Sequence, residues 1–158
     1  MQMVMKDKIY VMVADGFEEM DVSAVTCTLR GLGLPVAVVG LTTGPVRGAY
    51  GLSLMPDCTL GEVAMDSPRA AVLPGGILAA RRFSAEPRVH ALLRKIADCG
   101  GYVMAIDTAC TVLCRAGMSA NGEVGGQPSG RVLVKGHVIV SQDSGAAEEA
   151  ALTLASML

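Results

Sequence analysis

The chain has 158 residues, of which 51% are hydrophobic and 18% charged, so it is long enough for one core and too apolar for a disordered tail. A net charge of −2 and a content of three Tyr, two Phe and no Trp argue against a nucleic-acid partner, which needs basic patches or stacking rings. No apolar run reaches the ~18 residues of a membrane span, and the N-terminus does not have the order of a signal peptide. We therefore expect a single cytoplasmic domain over residues 1–158, without a membrane partner.

The first part of the chain predicts a βαβ unit. Residues 9–14 form a short apolar run rich in β-branched side chains, which is typical of a buried strand. Residues 17–30 have acids early, an arginine at the end and glycines beyond it, which are helix start and stop signals. Residues 35–41 form a second apolar run. Two such strands joined by a helix indicate a parallel sheet with a right-handed crossover.

The middle of the chain predicts further elements of the same kind. Residues 43–56 are rich in glycine and predict an antiparallel excursion at a sheet edge. Residues 70–73 predict a buried strand that ends at a Pro-Gly-Gly turn. Residues 87–99 have the helical period, with a proline at the start, and residues 102–106 predict a fourth buried strand.

The last third completes the pattern. Residues 107–116 predict a helix, residues 117–131 a loop, and residues 132–140 a pair of strands around a Lys-Gly turn. Residues 146–157 predict a final helix, with two acids near its N-terminus. Helices that alternate with continuous apolar strands predict an α/β fold: a three-layer sandwich with a mostly parallel central sheet.

Three predicted strand ends carry polar residues or glycines, and ligands bind beyond such ends in open parallel sheets. Asp107 stands alone between a buried strand and a helix, which is the layout of a nucleophile elbow and predicts a positive φ. The amides of Thr108, Gly75 and Gly76 are predicted to bind an anion or a developing oxyanion. From the local sequence alone, a plain helix N-cap is an equally good interpretation of Asp107.

Four segments carry a resemblance that spans nearly the whole chain. They are residues 14–21 (ADGFEEMD), 72–76 (VLPGG), 105–113 (AIDTACTVL) and 138–146 (VIVSQDSGA). In their order and spacing they resemble the ThiJ/PfpI family. The resemblance implies a flavodoxin-like sandwich, usually homodimeric. It also implies a reactive cysteine at the elbow, hydrogen-bonded by a protonated acid from the loop after the first strand. Glyoxalase or deglycase, peptidase or amidase, and chaperone or oxidative-stress roles are ascribed to members.

Carried over by position, the family's site is only partly present. Asp107 stands where the family has its cysteine, and Asp21 stands where a close subgroup has a glutamate. Glu18 lies in the same loop and is predicted to line the pocket. Gln127 falls where many members place a histidine, and the surrounding region is shorter than in typical members. The resemblance therefore implies a pocket without the family's nucleophile and base.

Two functions remain open at this point. The first is a non-catalytic, dimeric binding or stress-associated protein for an unknown small molecule, with Asp107 as a permanent counterpart of an oxidised cysteine. The second is a hydrolase, glyoxalase or deglycase-like enzyme that uses the pair Asp21 and Asp107 as general acid and base. No cofactor and no metal is predicted for either.

The five cysteines predict no disulfide framework and no metal site. Their number is odd, they are widely spaced, no Cys-x-x-Cys occurs, and the only two histidines lie far apart in sequence. Most are expected to be small buried residues. A redox role for Cys110 and Cys114, which share a helix face, is a third and minor hypothesis.

Overall fold

A computed structural model describes residues 7–118 and 131–158. Its strands are β1 (Ile9–Val13), β2 (Val36–Gly40), β3 (Val46–Arg47), β4 (Ser53–Leu54), β5 (Cys58–Thr59), β6 (Ala70–Leu73), β7 (Tyr102–Ile106), β8 (Val132–Lys135) and β9 (Val138–Ser141). Its α-helices are α1 (Glu19–Gly31), α2 (Leu60–Val63), α3 (Ile77–Ser84), α4 (Pro87–Asp98), α5 (Cys110–Arg115) and α6 (Ala147–Met157).

Within the described ranges, the central sheet has seven strands in the order β5-β2-β1-β6-β7-β9-β8. Every neighbouring pair is parallel except β8 and β9 at one edge, which are antiparallel. The chain runs from β1 outward to β2 and later returns to β6 on the other side of β1. This reversal is the topological switch point of the sheet, where the carboxyl ends of β1 and β6 leave a crevice for a ligand.

The helices form two layers that cover the sheet. Helices α1 and α6 pack on each other and against strands of the sheet, whereas α3, α4 and α5 form a second group that packs on β6 and β7. All five residues of β1 are buried, as the continuous apolar run predicts for a strand covered on both faces. The predicted three-layer α/β sandwich with a mostly parallel sheet is confirmed.

The Gly-rich segment over residues 43–56 departs in detail from its prediction. It does contain an antiparallel pair, β3 with β4, but this pair forms a separate two-stranded sheet. The edge of the central sheet is β5 instead, which pairs parallel with β2. Helices α2 and α3 were not predicted from the sequence. Both are short, with four residues in α2 and eight in α3, and so few residues do not establish a helical period.

The expectation that most cysteines are buried is wrong. Cys27, Cys99 and Cys114 are exposed, and Cys58 and Cys110 are half-buried. The three exposed thiols lie on the solvent side or at the ends of helices, positions that residue type alone does not reveal. Among the described residues, no helix is long and apolar enough to cross a membrane.

Candidate functional site

Asp107 forms the elbow at the end of β7. It opens a single 3₁₀ turn, Asp107–Ala109, that leads directly into α5. Its φ is 49°, and it is the only non-glycine residue with a positive φ in the described part of the chain. Its side chain caps no backbone N–H of this turn. The predicted elbow is confirmed by this positive φ, and the N-cap interpretation is wrong, because the side chain makes no capping hydrogen bond.

Asp21 lies on the first turn of α1 and is fully buried. The amide of Gly75 donates to its Oδ2 at 2.7 Å, which ties α1 to the turn after β6. Its Oδ1 is buried and has no hydrogen-bond partner among the described residues. A buried carboxyl with one unsatisfied oxygen favours the neutral, protonated form over the charged one.

The electrostatic surroundings of Asp21 act in the same direction. Burial raises the pKa of Asp21, and the charges of Asp107 and Asp143 raise it further. The Gly75 amide lowers it, as does the Ser144 hydroxyl, which lies near the carboxyl without reaching hydrogen-bond geometry. Burial outweighs both, so the pKa of Asp21 is raised, in the predicted direction but mainly by burial and only secondarily by the charge of Asp107.

Glu18 makes the predicted pair of acids a group of three. It is half-buried at the N-cap of α1, and its amide donates to the Gly75 carbonyl at 2.9 Å. Burial raises the pKa of Glu18, and the charges of Asp21, Glu19 and Asp107 add to that effect. Like charges at one site disfavour ionisation, so the charged forms of both Glu18 and Asp21 are disfavoured.

The two glycines after β6 are needed for close packing. A Cβ on Gly75 would lie 2.9 Å from Asp21 Oδ2, and one on Gly76, whose φ is 112°, would lie 2.1 Å from the Gly16 carbonyl oxygen. The Gly75 amide donates a hydrogen bond to Asp21 Oδ2, and the Gly76 amide donates one to Thr108 Oγ1 at 3.0 Å. Both amides already have side-chain acceptors, so their predicted role in anion binding stays a prediction.

The site gains one element that the sequence analysis did not name. Ser144 approaches Asp21 from the turn between β9 and α6, inside the matched segment 138–146. The signal was present as a motif, but a lone Ser-Gly pair does not reveal which carboxyl it faces. Gln127 lies outside the described residues. No group of three His, Cys, Asp or Glu residues in the described ranges is placed to hold a metal ion.

Cys110 does not offer a substitute nucleophile. Burial raises its pKa to about 11, with contributions from the charges of Asp107 and Cys114. A thiol of that pKa is almost entirely protonated near neutral pH, and the thiolate is the reactive form. This argues against the redox hypothesis for Cys110.

Comparison with known proteins places this geometry in a family. The model of the DJ-1/PfpI family matches residues 7–156. The chain belongs to the DJ-1/PfpI family. This confirms the resemblance to ThiJ/PfpI proteins.

Individual relatives match over nearly their full length. The protein dj-1beta of Drosophila melanogaster is 32% identical over 163 residues, which cover 94% of this chain and 87% of the relative. The crystal structure of Drosophila melanogaster DJ-1beta superposes with a TM-score of 0.90 at 30% identity, covering 98% of this chain and 91% of that one. An oxidised DJ-1 of Toxoplasma gondii gives a TM-score of 0.87 at 25% identity, with 95% and 89% covered.

Proposed function

We propose that this protein is a DJ-1/PfpI family member without the cysteine-dependent chemistry that the family resemblance implies. It acts as a dimeric binding or stress-associated protein of the cytoplasm whose pocket holds a permanent carboxylate. The observation that carries this is Asp107 itself. An exposed acid stands at the strained elbow, with φ 49°, where the family resemblance implies a reactive cysteine.

A carboxylate in this place resembles an oxidised cysteine more than a reduced one. The DJ-1 of Toxoplasma gondii is known in an oxidised form. A sulfinate carries one negative charge over two oxygens on a single atom, and the Asp107 carboxylate does the same. Asp107 therefore gives the pocket the charge of the oxidised state without requiring an oxidant.

The surrounding groups suit binding better than nucleophilic attack. A carboxylate is a weak nucleophile toward the carbonyl carbon of glyoxals, and the neighbouring Cys110 is held as a thiol by its raised pKa. The protonated form of Asp21, which burial favours, leaves a buried acid beside the exposed charge. Such an arrangement recognises a ligand that can donate to Asp107.

One observation favours a second function. The pKa of Asp21 is raised while the exposed Asp107 lies within its electrostatic reach. Two carboxyls in unlike surroundings can serve as general acid and general base. A hydrolase, glyoxalase or deglycase-like enzyme that uses this pair is therefore the alternative.

Turnover assays on three proteins separate the two functions. Wild type, Asp107→Asn and Asp107→Cys are each tested with methylglyoxal and with simple esters and amides. We expect no turnover by wild type or by Asp107→Asn, and rapid iodoacetamide labelling at position 107 in Asp107→Cys, because a thiol at the elbow is activated by the following turn. Wild-type turnover that is lost in Asp107→Asn would establish the enzyme instead.

A second copy of the chain is the expected partner, since relatives in this family are typically dimeric. Helix α1 exposes Met20, and the β3–β4 hairpin packed against it exposes Tyr50 and Leu52; these side chains are 65%, 78% and 67% exposed. The buried Glu19 accepts from the amides of Tyr50 and Leu52, which holds the hairpin against α1. Apolar side chains held out to solvent in this way are typical of an interface.

A further inference from the structure

A groove lies between α3 and α5, beside the elbow. Its volume is about 390 Å³. Two arginines, Arg81 and Arg115, line it together with the hydroxyls of Ser84, Thr108 and Thr111. Its apolar wall includes Ile77 and alanines of α3 and the turn after it. No acidic side chain of the described residues lines it.

The two arginines of the groove make no hydrogen bond or ion pair within the described residues, unlike several others in the protein. Arg30, Arg88 and Arg131 each pair with a carboxylate. Arg81 and Arg115 are exposed, and each stands in the last turn of its helix. A helix C-terminus favours a cation, but that preference does not explain why two guanidinium groups from different helices line one groove. An anion between them removes their mutual repulsion.

The hydroxyls add directed donors. Thr108 Oγ1 accepts from the Gly76 amide at 3.0 Å, so its own proton is left to donate elsewhere. Ser84 makes no hydrogen bond within the described residues and is half-buried in the groove wall. Thr111 Oγ1 donates to the Thr108 carbonyl at 2.8 Å, which fixes the turn that carries Thr108.

We infer that this groove binds an organic phosphate, a phosphate monoester with a small apolar body. A phosphoryl group has three terminal oxygens and can accept from Arg81, Arg115 and a hydroxyl at once, whereas a carboxylate has only two oxygens. The volume lies within the usual range for small-molecule sites, about 300–1,000 Å³. The apolar wall around Ile77 accommodates the organic part.

Titration with phenyl phosphate tests this site directly, by calorimetry or by shifts of backbone amide resonances. We expect saturable binding of one ligand per chain that weakens as salt is added. Arg81→Gln and Arg115→Gln each weaken it about tenfold or more, because each removes a charge-assisted hydrogen bond. Arg82→Gln is the matched control: it lies on the same turn of α3 but lines a different depression, and it leaves binding unchanged.

Two further ligands define the chemistry. Benzoate carries the same ring with a carboxylate, and inorganic phosphate carries no organic body; we expect both to bind more weakly than phenyl phosphate. Absence of saturable binding, equal affinity for benzoate, or an equal loss in Arg82→Gln overturns the assignment. Thermal melts of the three arginine variants verify that they fold.

The site stands apart from the proposed role of Asp107. Asp107→Asn retains phenyl phosphate binding, since the carboxylate does not line the groove. Absence of phosphate binding would therefore contradict only the assignment of the groove, not the proposed non-catalytic function. Turnover by wild type would contradict only the non-catalytic function, not the assignment of the groove.

Discussion

At the scale of single residues, Asp107 holds a backbone conformation that most side chains avoid. The left-handed region is unfavourable by about 1–2 kcal/mol of conformational free energy for a residue with a Cβ, and glycine avoids this cost. We expect Asp107→Ala to be less stable than Asp107→Gly by about 1 kcal/mol in urea unfolding, since glycine's greater freedom in the unfolded chain offsets part of the gain. At an ordinary helical position alanine is the more stabilising of the two residues. We therefore expect Ala91→Gly, at an exposed site in α4, to lower the free energy of unfolding by about 1 kcal/mol.

The outcome that contradicts this is an Asp107→Ala protein as stable as Asp107→Gly. It would mean that the turn after β7 relaxes to a negative φ without cost. The elbow would then be a consequence of the aspartate rather than of its surroundings.

The raised pKa of Asp21 predicts how stability depends on pH. Burial and the charge of Asp107 raise this pKa in the folded state, so the folded protein binds more protons than the unfolded one. The free energy of unfolding therefore falls as pH rises from the unfolded value of about 3.9 through the folded pKa. Asp21→Asn removes this titration and keeps an oxygen for the Gly75 amide, so its stability falls less over the same window.

Thermal melts between pH 3 and 8 measure this difference. Some decrease of stability with rising pH remains in Asp21→Asn, because the pKa of Glu18 is raised as well, mainly by burial. Asp98→Asn removes an exposed carboxyl at the C-terminal end of α4 and serves as the control. Parallel curves for wild type and Asp21→Asn would show that the buried carboxyl gains no proton on folding.

At the scale of elements, Glu19 fastens the β3–β4 hairpin to α1. Its carboxylate accepts from the amides of Tyr50, at 3.0 and 3.1 Å, and of Leu52, at 3.2 Å. Gly48 leaves the space for it, since a Cβ there would lie 2.2 Å from Glu19 Cδ. Burial alone raises the pKa of Glu19, but these backbone hydrogen bonds outweigh burial and lower it.

Glu19→Gln tests this attachment. The amide side chain keeps one acceptor oxygen in place of two, so we expect a loss of about 1–3 kcal/mol at neutral pH. We also expect faster hydrogen exchange at the amides of Tyr50 and Leu52. A folded pKa below the unfolded one stabilises the protein above the unfolded pKa, and this contribution is lost as pH falls through the folded pKa. The two proteins therefore converge in stability at acidic pH.

A surface acid provides the comparison for Glu19. Glu149→Gln removes the exposed ion pair with Arg131 and is expected to change stability by no more than about 1 kcal/mol. If Glu19→Gln behaves like Glu149→Gln and leaves exchange in the hairpin unchanged, the buried carboxylate does not hold the hairpin.

At the scale of the whole molecule, the exposed surface of Met20, Tyr50 and Leu52 predicts self-association. Light scattering at micromolar concentration should give twice the 16.3 kDa of one chain. Leu52→Arg places a charge in that surface and should shift the protein to monomer, because an unpaired charge is costly in an apolar interface. Met65→Arg is the control on another exposed methionine, beside α4, and should leave the dimer intact. A monomeric wild type contradicts the prediction.

The sequence by itself determined the architecture and the position of the elbow residue. Continuous apolar runs such as residues 9–14 and 102–106 place apolar side chains on both faces of a strand. Both faces must then be covered, which specifies buried parallel strands with helices on each side of the sheet. The position of Asp107 was found from the single residue between a strand and a helix, but that junction fits a plain N-cap equally well, and only the structure decided for the positive φ. These features are local, and short-range patterns are enough to predict them.

Only the tertiary structure decided which groups meet. The Gly75 amide reaches Asp21 across 54 positions of sequence, Ser144 approaches the same carboxyl from a third element, and Arg81 and Arg115 line one groove from separate helices. Strand β5 replaced the β3–β4 pair at the sheet edge for a similar reason, since pairing depends on which backbone lies beside β2. Residue types and local periodicity do not indicate which residues far apart in sequence lie close together in the fold. These contacts arise when the sheet brings the carboxyl ends of its strands together, and burial at that point raises the pKa of Asp21.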